Sequence, residues 1–381
     1  MKIGIDIRTA GGEKAGKGWY TFNITRELLK IDKHNEYFLY ADSGIAGFEE
    51  FKNAELKIIN KKGLFWHTAV VKDLKATGIN VFFAPSSFII PALIPKSSTL
   101  SKPSTRSSIK TILAIHDLIA FLFPERHDKK AVILEKLLIK KAIKKSSKIV
   151  TISENTKEDL IEKFNIPENK IEIIRCAASE DFYPIPQTEE NIKGLKEFKE
   201  KTNLPDKFFL DVGTIEPRKN YETLILSFAM IHQKYPDYHL IIVGKKGWQY
   251  EQLDALIREN YLKKFVHFLG YITNKNLNKL YNLAEAFVFP SYYEGFGIPP
   301  LEAIQCGCPI ISSFASSMPE VIGEAGIYCD PTQPGEFAKA METVITDKVM
   351  RENLINKGRV QCKKFSWKDS AQKLYNLIKN L

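Results

Sequence analysis

Phe287-Val-Phe-Pro-Ser-Tyr-Tyr-Glu-Gly-Phe-Gly-Ile-Pro-Pro-Leu-Glu302 falls into three pieces. The apolar run at its start predicts a strand, the middle is a glycine-rich turn, and Pro299-Pro300 before Leu-Glu-Ala-Ile-Gln marks a helix start. Strand, turn and helix in that order are the repeating unit of α/β sheets. The free N–H groups and positive dipole end of such a helix favour an anionic ligand. Glu294 and Glu302 flank the turn. Ionised carboxylates only accept hydrogen bonds, and a vicinal diol offers two donors. A ligand with both phosphates and vicinal hydroxyls fits, as a nucleotide sugar does.

The same alternation extends outward in both directions. Before residue 185, strands are predicted at Lys2–Ile7, Tyr37–Tyr40, Val81–Ala84, Thr111–Ile115, Ile149–Ile152 and Ile171–Ile174, with helices at Trp19–Leu29, Ala131–Lys145 and Lys157–Phe164. A second series begins near Phe208. Its strands are Phe208–Val212, His239–Val243, Phe265–Leu269, Ala286–Phe289 and Pro309–Ser312, and its helices Tyr221–Tyr235 and Leu277–Leu283. The stretch Asp181-Phe-Tyr-Pro-Ile-Pro-Gln187 and the charged run to Lys207 place the boundary. The expected organisation is a first domain over 1–185, a linker over 186–207, a second domain over 208–363 and a last helix over 364–381. The polar, proline-marked segment 96–108 reads as a mobile loop.

With 381 residues the chain suits two domains of roughly 150–200 residues each. Hydrophobic content of 44% and charged content of 26% belong to a soluble globular chain. No uninterrupted apolar stretch of about 18 residues is present, and Met-Lys-Ile-Gly-Ile-Asp-Ile-Arg8 reads as a strand, not a signal peptide. Five cysteines without framework spacing indicate packing roles under reducing conditions, hence a cytoplasmic setting.

A second motif, Gly213-Thr-Ile-Glu-Pro-Arg-Lys-Asn220, follows a strand and precedes a helix, where open α/β sheets bind ligands. Arg218 offers a planar fork to phosphate oxygens and Lys219 a compact charge. In isolation two adjacent basic residues are solvated surface. In this position they can hold a diphosphate.

Taken together, Glu294-Gly-Phe-Gly-Ile-Pro-Pro-Leu-Glu302, Cys306-Gly-Cys-Pro-Ile-Ile-Ser-Ser313, Ser317-Met-Pro-Glu-Val-Ile-Gly-Glu-Ala-Gly326 and Gly213–Asn220 closely resemble the motifs of the family 4 retaining glycosyltransferases. That resemblance implies an α/β fold of two Rossmann-like, doubly wound domains facing across a cleft, the GT-B architecture. It implies no cofactor and no metal, with a nucleotide sugar as substrate and a glycan or lipid-linked glycan as acceptor. It assigns Arg218 and Lys219 to the donor diphosphate, Glu302 to the ribose and Glu294 to the donor sugar. Backbone groups of Gly295, Phe296 and Gly297 add support, Tyr271 lies near the base and Lys245 flanks the phosphates. His116, in Ile115-His-Asp-Leu118, belongs by resemblance to the sugar-transfer centre; a satisfied structural histidine is the competing reading. Gly11 and Gly12 resemble the family's glycine loop, although a plain flexible turn explains them too. Ser153 is a helix cap with or without a line to the site.

The implied reaction is a retaining, front-face transfer of a hexosyl group, catalysed with His116, Glu294, Arg218 and Lys219. The pairing of Ile115–Leu118 with Thr151–Leu160 most resembles bacterial mannosyl- and related hexosyltransferases of surface-polysaccharide assembly. GDP-mannose is therefore the first donor, with UDP-glucose and UDP-N-acetylglucosamine behind it. A same-fold nucleotide-sugar epimerase and a non-catalytic sugar-nucleotide binder are the alternatives. One departure stands out: many relatives carry a Pro-Asn-Gly type turn where this chain has Arg175-Cys-Ala-Ala-Ser179.

The net charge is +10, and residues 96–148 carry 13 basic against 4 acidic residues. The Ala131–Lys145 segment is either a lysine-faced surface helix or a peripheral dock for an anionic membrane on its inner face. Nucleic acid is not an expected partner, since no recognition fold accompanies the charge.

Overall fold

The computed structural model describes residues 1–14, 16–95, 109–126, 129–245, 247 and 250–381. The predicted loop at 96–108 lies outside the described residues. The chain forms two compact units: Met1–Cys176 with Ser366–Leu381, and Ala177–Phe365.

In the first unit, strands β1 (Lys2–Asp6), β2 (Glu36–Ala41), β3 (Ala54–Ile58), β4 (Val81–Ala84), β5 (Lys110–Ile115), β6 (Lys148–Thr151) and β7 (Ile171–Ile173) make one sheet. Its order is β3-β2-β1-β4-β5-β6-β7, and every described pairing is parallel. Parallel strands covered on both faces read as continuous apolar runs, which is why most were visible in sequence. The exception is β3, an edge strand whose Ala-Glu-Leu-Lys-Ile alternates and stays half exposed. The last helix, Trp367–Lys379, packs on the helix Gly16–Ile31, and its Ser370 hydroxyl donates to the Arg175 carbonyl at 2.7 Å.

The second unit holds β8 (Lys207–Val212), β9 (Tyr238–Val243), β10 (Val266–Gly270), β11 (Ala286–Phe289), β12 (Ile310–Ser313) and β13 (Gly326–Cys329). These pair in parallel in the order β10-β9-β8-β11-β12-β13. Successive residues of a strand face opposite sides. Phe209, Leu240, Ile242 and Val288 thus enter one core, with Phe228 and Phe337. Phe208, Leu210, Ile241 and Phe287 enter the other, with Phe182 and Tyr281.

The expected linker at 186–207 is corrected by the structure. It contains the helix Glu189–Thr202 and the first residue of β8, and it belongs to the second unit. Phe198 and Leu204 pack against the second core, so the charged residues of this stretch are the outer face of an anchored helix. The units divide between Cys176 and Ala177, and again between Phe365 and Ser366.

Both sheets reverse strand order beside their first strand, between β1 and β4 and between β8 and β11. Ligands of open α/β sheets bind beyond the carboxyl ends of the strands at that point. The two motifs of the second unit, Gly213–Asn220 and the Glu294 turn, follow β8 and β11.

Candidate active site

Adjacent strands bring these two loops together, and the loops are then stitched to each other. The Tyr292 N–H donates to the Arg218 carbonyl at 2.8 Å. Asn220, in the left-handed region at φ 58°, donates from Nδ2 to the carbonyls of Pro290 at 3.0 Å and Pro331 at 2.6 Å. Asparagine tolerates that backbone conformation better than most residues, and here its amide joins three segments.

Glu294 is the centre of the result. Its Oε2 lies 2.6 Å from Arg218 Nη1, and its Oε1 lies 2.7 Å from Lys219 Nζ. Oε1 also accepts from the Ser291 hydroxyl at 3.0 Å. Arg218 Nε donates to Glu216 Oε2 at 2.9 Å. Burial pushes the Glu294 carboxyl upward, but Arg218 and Lys219 outweigh it and hold it below the usual carboxylate range. Lys219 is itself buried, with Nζ 4.4 Å from the Phe289 ring centre. One ionised carboxylate therefore orients two cations at the mouth of the sheet.

Glu302 meets a different fate eight residues further on, in the helix Ile298–Gln305. It is buried, and its Oε2 accepts from the Tyr281 hydroxyl at 3.1 Å. Burial dominates and raises its carboxyl to about 7, the Tyr281 hydrogen bond opposing. Asp211 on β8 is similar: burial raises it to about 7 while the Tyr221 hydroxyl, donating at 2.7 Å, opposes.

The turn between the two glutamates is shaped by Gly297, at φ 105°. A Cβ there would lie 2.5 Å from Met318 Cε. Phe296 is buried edge-on to Phe365, ring centres 5.5 Å apart, so Gly295 and Gly297 flank an anchored ring. Lys245 and Tyr271 follow β9 and β10 at the same edge, and both side chains are exposed. The Lys245 carbonyl accepts from the Ile215 N–H at 3.1 Å.

Several residues that hold the site had no role assigned to them from the sequence. Ser291, Ser316 and Ser317 hold the Glu294 turn, and Tyr281 holds Glu302. The only available hint was a run of serines after a strand.

In the first unit, His116 follows β5 and is buried. Its Nε2 lies 2.6 Å from the Pro85 carbonyl, beyond β4, and its ring is edge-on to Tyr20 at 4.8 Å. Burial, then Lys17, lowers its pKa to about 4, so the imidazole is neutral at pH 7. A carbonyl only accepts, so Nε2 carries the proton and Nδ1 is the acceptor. The Thr156 hydroxyl donates to the His116 carbonyl at 3.2 Å, and Ser153 caps the helix Glu154–Phe164. Gly11 and Gly12 lie between β1 and the helix Gly16–Ile31, with Gly12 at φ 61°. A Cβ on Gly18 would lie 2.5 Å from the Thr9 carbonyl oxygen, so that helix can start against the β1 loop only with glycine there.

Among the described residues no cluster of three or more His, Cys, Asp or Glu side chains is arranged to hold a metal ion. Among the same residues no helix is long and apolar enough to cross a membrane.

Residues 18–182 match the model for glycosyltransferase family 4, and residues 193–361 that for glycosyl transferases group 1. The chain is 31% identical over 276 residues to the O-antigen chain mannosyltransferase B of Escherichia coli, covering 71% of each chain. It belongs to the family 4 glycosyltransferases. This glycosyltransferase is also 35% identical over 280 residues to the serotype-specific mannosyltransferase WbdA of Escherichia coli, covering 72% of its own length but 34% of WbdA. It thus spans about a third of that relative. Its fold is that of the HepE protein of Anabaena, solved with UDP and glucose, at a TM-score of 0.79 and 17% identity over 100% of both chains. The chain is a GT-B enzyme of the hexosyltransferase class.

Proposed function

We propose that this glycosyltransferase moves mannose from GDP-mannose to a hydroxyl of a glycan or lipid-linked glycan, with retention and without a metal ion. The observation that carries the reading is the pairing of Arg218 and Lys219 on one buried carboxylate at the β8–β11 switch point. Two fixed cations there suit a departing diphosphate, and preorganised charge is the usual substitute for a bound cation. The choice of mannose rests on the likeness to two mannosyltransferases.

In the proposed reaction the bond from the sugar's anomeric carbon to the diphosphate oxygen breaks on the face where the acceptor oxygen bonds. The acceptor proton passes to the departing phosphate oxygen. Glu302 holds the ribose hydroxyls, and Glu294 holds the donor sugar while keeping Arg218 and Lys219 in place. Gly295, Phe296 and Gly297 offer backbone support, Lys245 flanks the phosphates and Tyr271 the base. Neutral His116 acts on the transferred sugar through hydrogen bonding, in the first, acceptor-side unit, and Gly11 and Gly12 form that unit's glycine loop.

The test is transfer from GDP-mannose, UDP-glucose and UDP-N-acetylglucosamine in the presence of EDTA. Product with GDP-mannose, carrying the donor's α configuration by NMR, is expected. Arg218→Ala should lower kcat by about 10²–10³-fold. Activity abolished by EDTA, a β-linked product or an Arg218→Ala variant near parental turnover would each overturn part of the reading.

The proposal extends to location: a cytoplasmic enzyme touching an anionic membrane surface. The helix Lys129–Lys145 supports it. Ile139, Ala142 and Ile143 are buried, whereas Ile133, Lys136, Leu137, Lys140, Lys141 and Lys144 are exposed along one face. Two bare apolar side chains among four lysines suit the boundary between acyl chains and acidic headgroups.

A further inference from the structure

Ser316 has φ 51°, in the left-handed region. Side chains with a Cβ are disfavoured there and glycine is not. Only five described non-glycine residues adopt positive φ, and three of them are asparagines. A serine at such a position supplies a hydroxyl that glycine lacks.

Its hydroxyl accepts from the Glu294 N–H at 2.8 Å and donates to the Glu294 carbonyl at 3.0 Å. A hydroxyl has one proton to donate, and this one directs both its donor and an acceptor lone pair to the backbone of a single residue. Ser317, fully buried, continues the clamp, its hydroxyl lying 2.9 Å from the carbonyls of both Glu294 and Phe296. These serines sit on the loop after β12, the neighbour of β11. A strand with no loop in the two ligand motifs thus sets the backbone of the turn between β11 and its helix.

We infer that Ser316 is a positioning residue for sugar transfer: its hydroxyl fixes the Glu294 backbone so that the carboxylate spans Arg218 and Lys219 at once. The inference rests on the donor-site reading above. In this role Ser316 acts through the Glu294 backbone, to which both of its hydroxyl bonds go. Without the clamp the turn can pivot about Gly295 and Gly297, and the carboxylate can keep one cation while losing the other. A displacement of about 1 Å in a reacting constellation is enough to cost up to 10²-fold in rate.

Ser316→Gly separates this role from a merely structural one, because the variant removes the hydroxyl and relieves the backbone at the same time. Its thermal midpoint should stay within about 3 °C of the parent. Its kcat with GDP-mannose should fall about tenfold or more, with KM for the donor nearly unchanged. Ser316→Ala, which loses the hydroxyl and keeps the backbone strain, should show the same kcat loss with a lower thermal midpoint. Parental kcat in Ser316→Gly overturns the inference. So does a fall in kcat that only follows a fall in thermal midpoint, which would make the clamp a matter of stability.

A readout free of any donor keeps the two readings apart. The Glu294 carboxyl, followed by carbon NMR during an acid titration, should titrate below the usual carboxylate range in the parent and move up toward it in Ser316→Gly. Coincident titrations overturn the positioning role, whatever the donor is. A parent that turns over none of the three sugar nucleotides while the titrations differ leaves the clamp standing and refutes the donor reading.

Discussion

Glu294 and Glu302 are the same residue type, both 8% exposed and eight positions apart, yet they answer burial in opposite ways. Glu294 has two cations within 2.7 Å and keeps its charge, whereas Glu302 has a tyrosine hydroxyl and titrates near 7. The signs for stability follow. The contribution of Glu302 is fully present below its unfolded pKa and is lost as pH rises through about 7, and Asp211 behaves likewise. The contribution of Glu294 is present above its unfolded pKa and is lost only as pH falls through its depressed folded value. A ribose diol needs the ionised, acceptor-only form of Glu302. Affinity for GDP-mannose should therefore tighten as pH rises through about 7, by at most about tenfold per unit. Glu302→Gln should bind more weakly and flatten that dependence. Calorimetric titration from pH 5.5 to 8.5 reads both effects, and an unchanged slope in the variant would remove Glu302 from the ribose.

Strand-end loops are where the elements meet most tightly. The Gly213 N–H donates to the Val243 carbonyl at 2.8 Å, and a Cβ on Gly244 would lie 2.0 Å from the Gly213 carbonyl oxygen. Gly244→Ala must push the β8 and β9 loops apart, and so move Arg218 and Lys219. It should lower the thermal midpoint by roughly 4 °C or more and weaken donor binding with it. Gly12→Ala is the control: its φ of 61° is also unfavourable, but no heavy atom lies within 4 Å of the new Cβ. If both variants melt alike, close approach at Gly244 is not the cause.

Val81–Ala84 and Ala286–Phe289 match their predicted bounds because doubly covered strands are apolar throughout and end at a proline. The helix Glu189–Thr202 has no clear signature in the sequence because its charged residues outnumber the few that touch the core. Arg218, Lys219 and Glu294 were each visible as residues of loops after strands. Their convergence was not, since it depends on β8 lying beside β11, and strand order leaves no period in a sequence. Ser316 was least legible, because a loop serine can bond to many local partners and its backbone angle is invisible beforehand.

At the scale of the whole molecule, the net charge of +10 gives long-range attraction to any acidic surface. In the proposed membrane association, the helix Lys129–Lys145 would supply the short-range contact. Each lysine near an anionic leaflet contributes about 1 kcal/mol, so removing four should be decisive. The protein should sediment with vesicles containing phosphatidylglycerol and not with pure phosphatidylcholine. Lys136, Lys140, Lys141 and Lys144 changed together to Gln should abolish that. Ile133→Ser with Leu137→Ser should weaken it at high salt, where apolar insertion is what remains. Binding indifferent to all six changes would place the contact elsewhere.

The division of the chain has a consequence for descent and engineering. Residues 177–365 leave the first unit after Cys176 and return to it at Ser366, so the second unit is an insertion within the first. Exit and return are held side by side, since the Ser370 hydroxyl reaches the Arg175 carbonyl at 2.7 Å. A segment whose two ends are neighbours can be exchanged as a cassette, as inserted domains are. Under the proposed function, donor preference would then travel between proteins through a pair of joints, while the sheet that would meet the acceptor, and the helix that completes it, stay behind in the host.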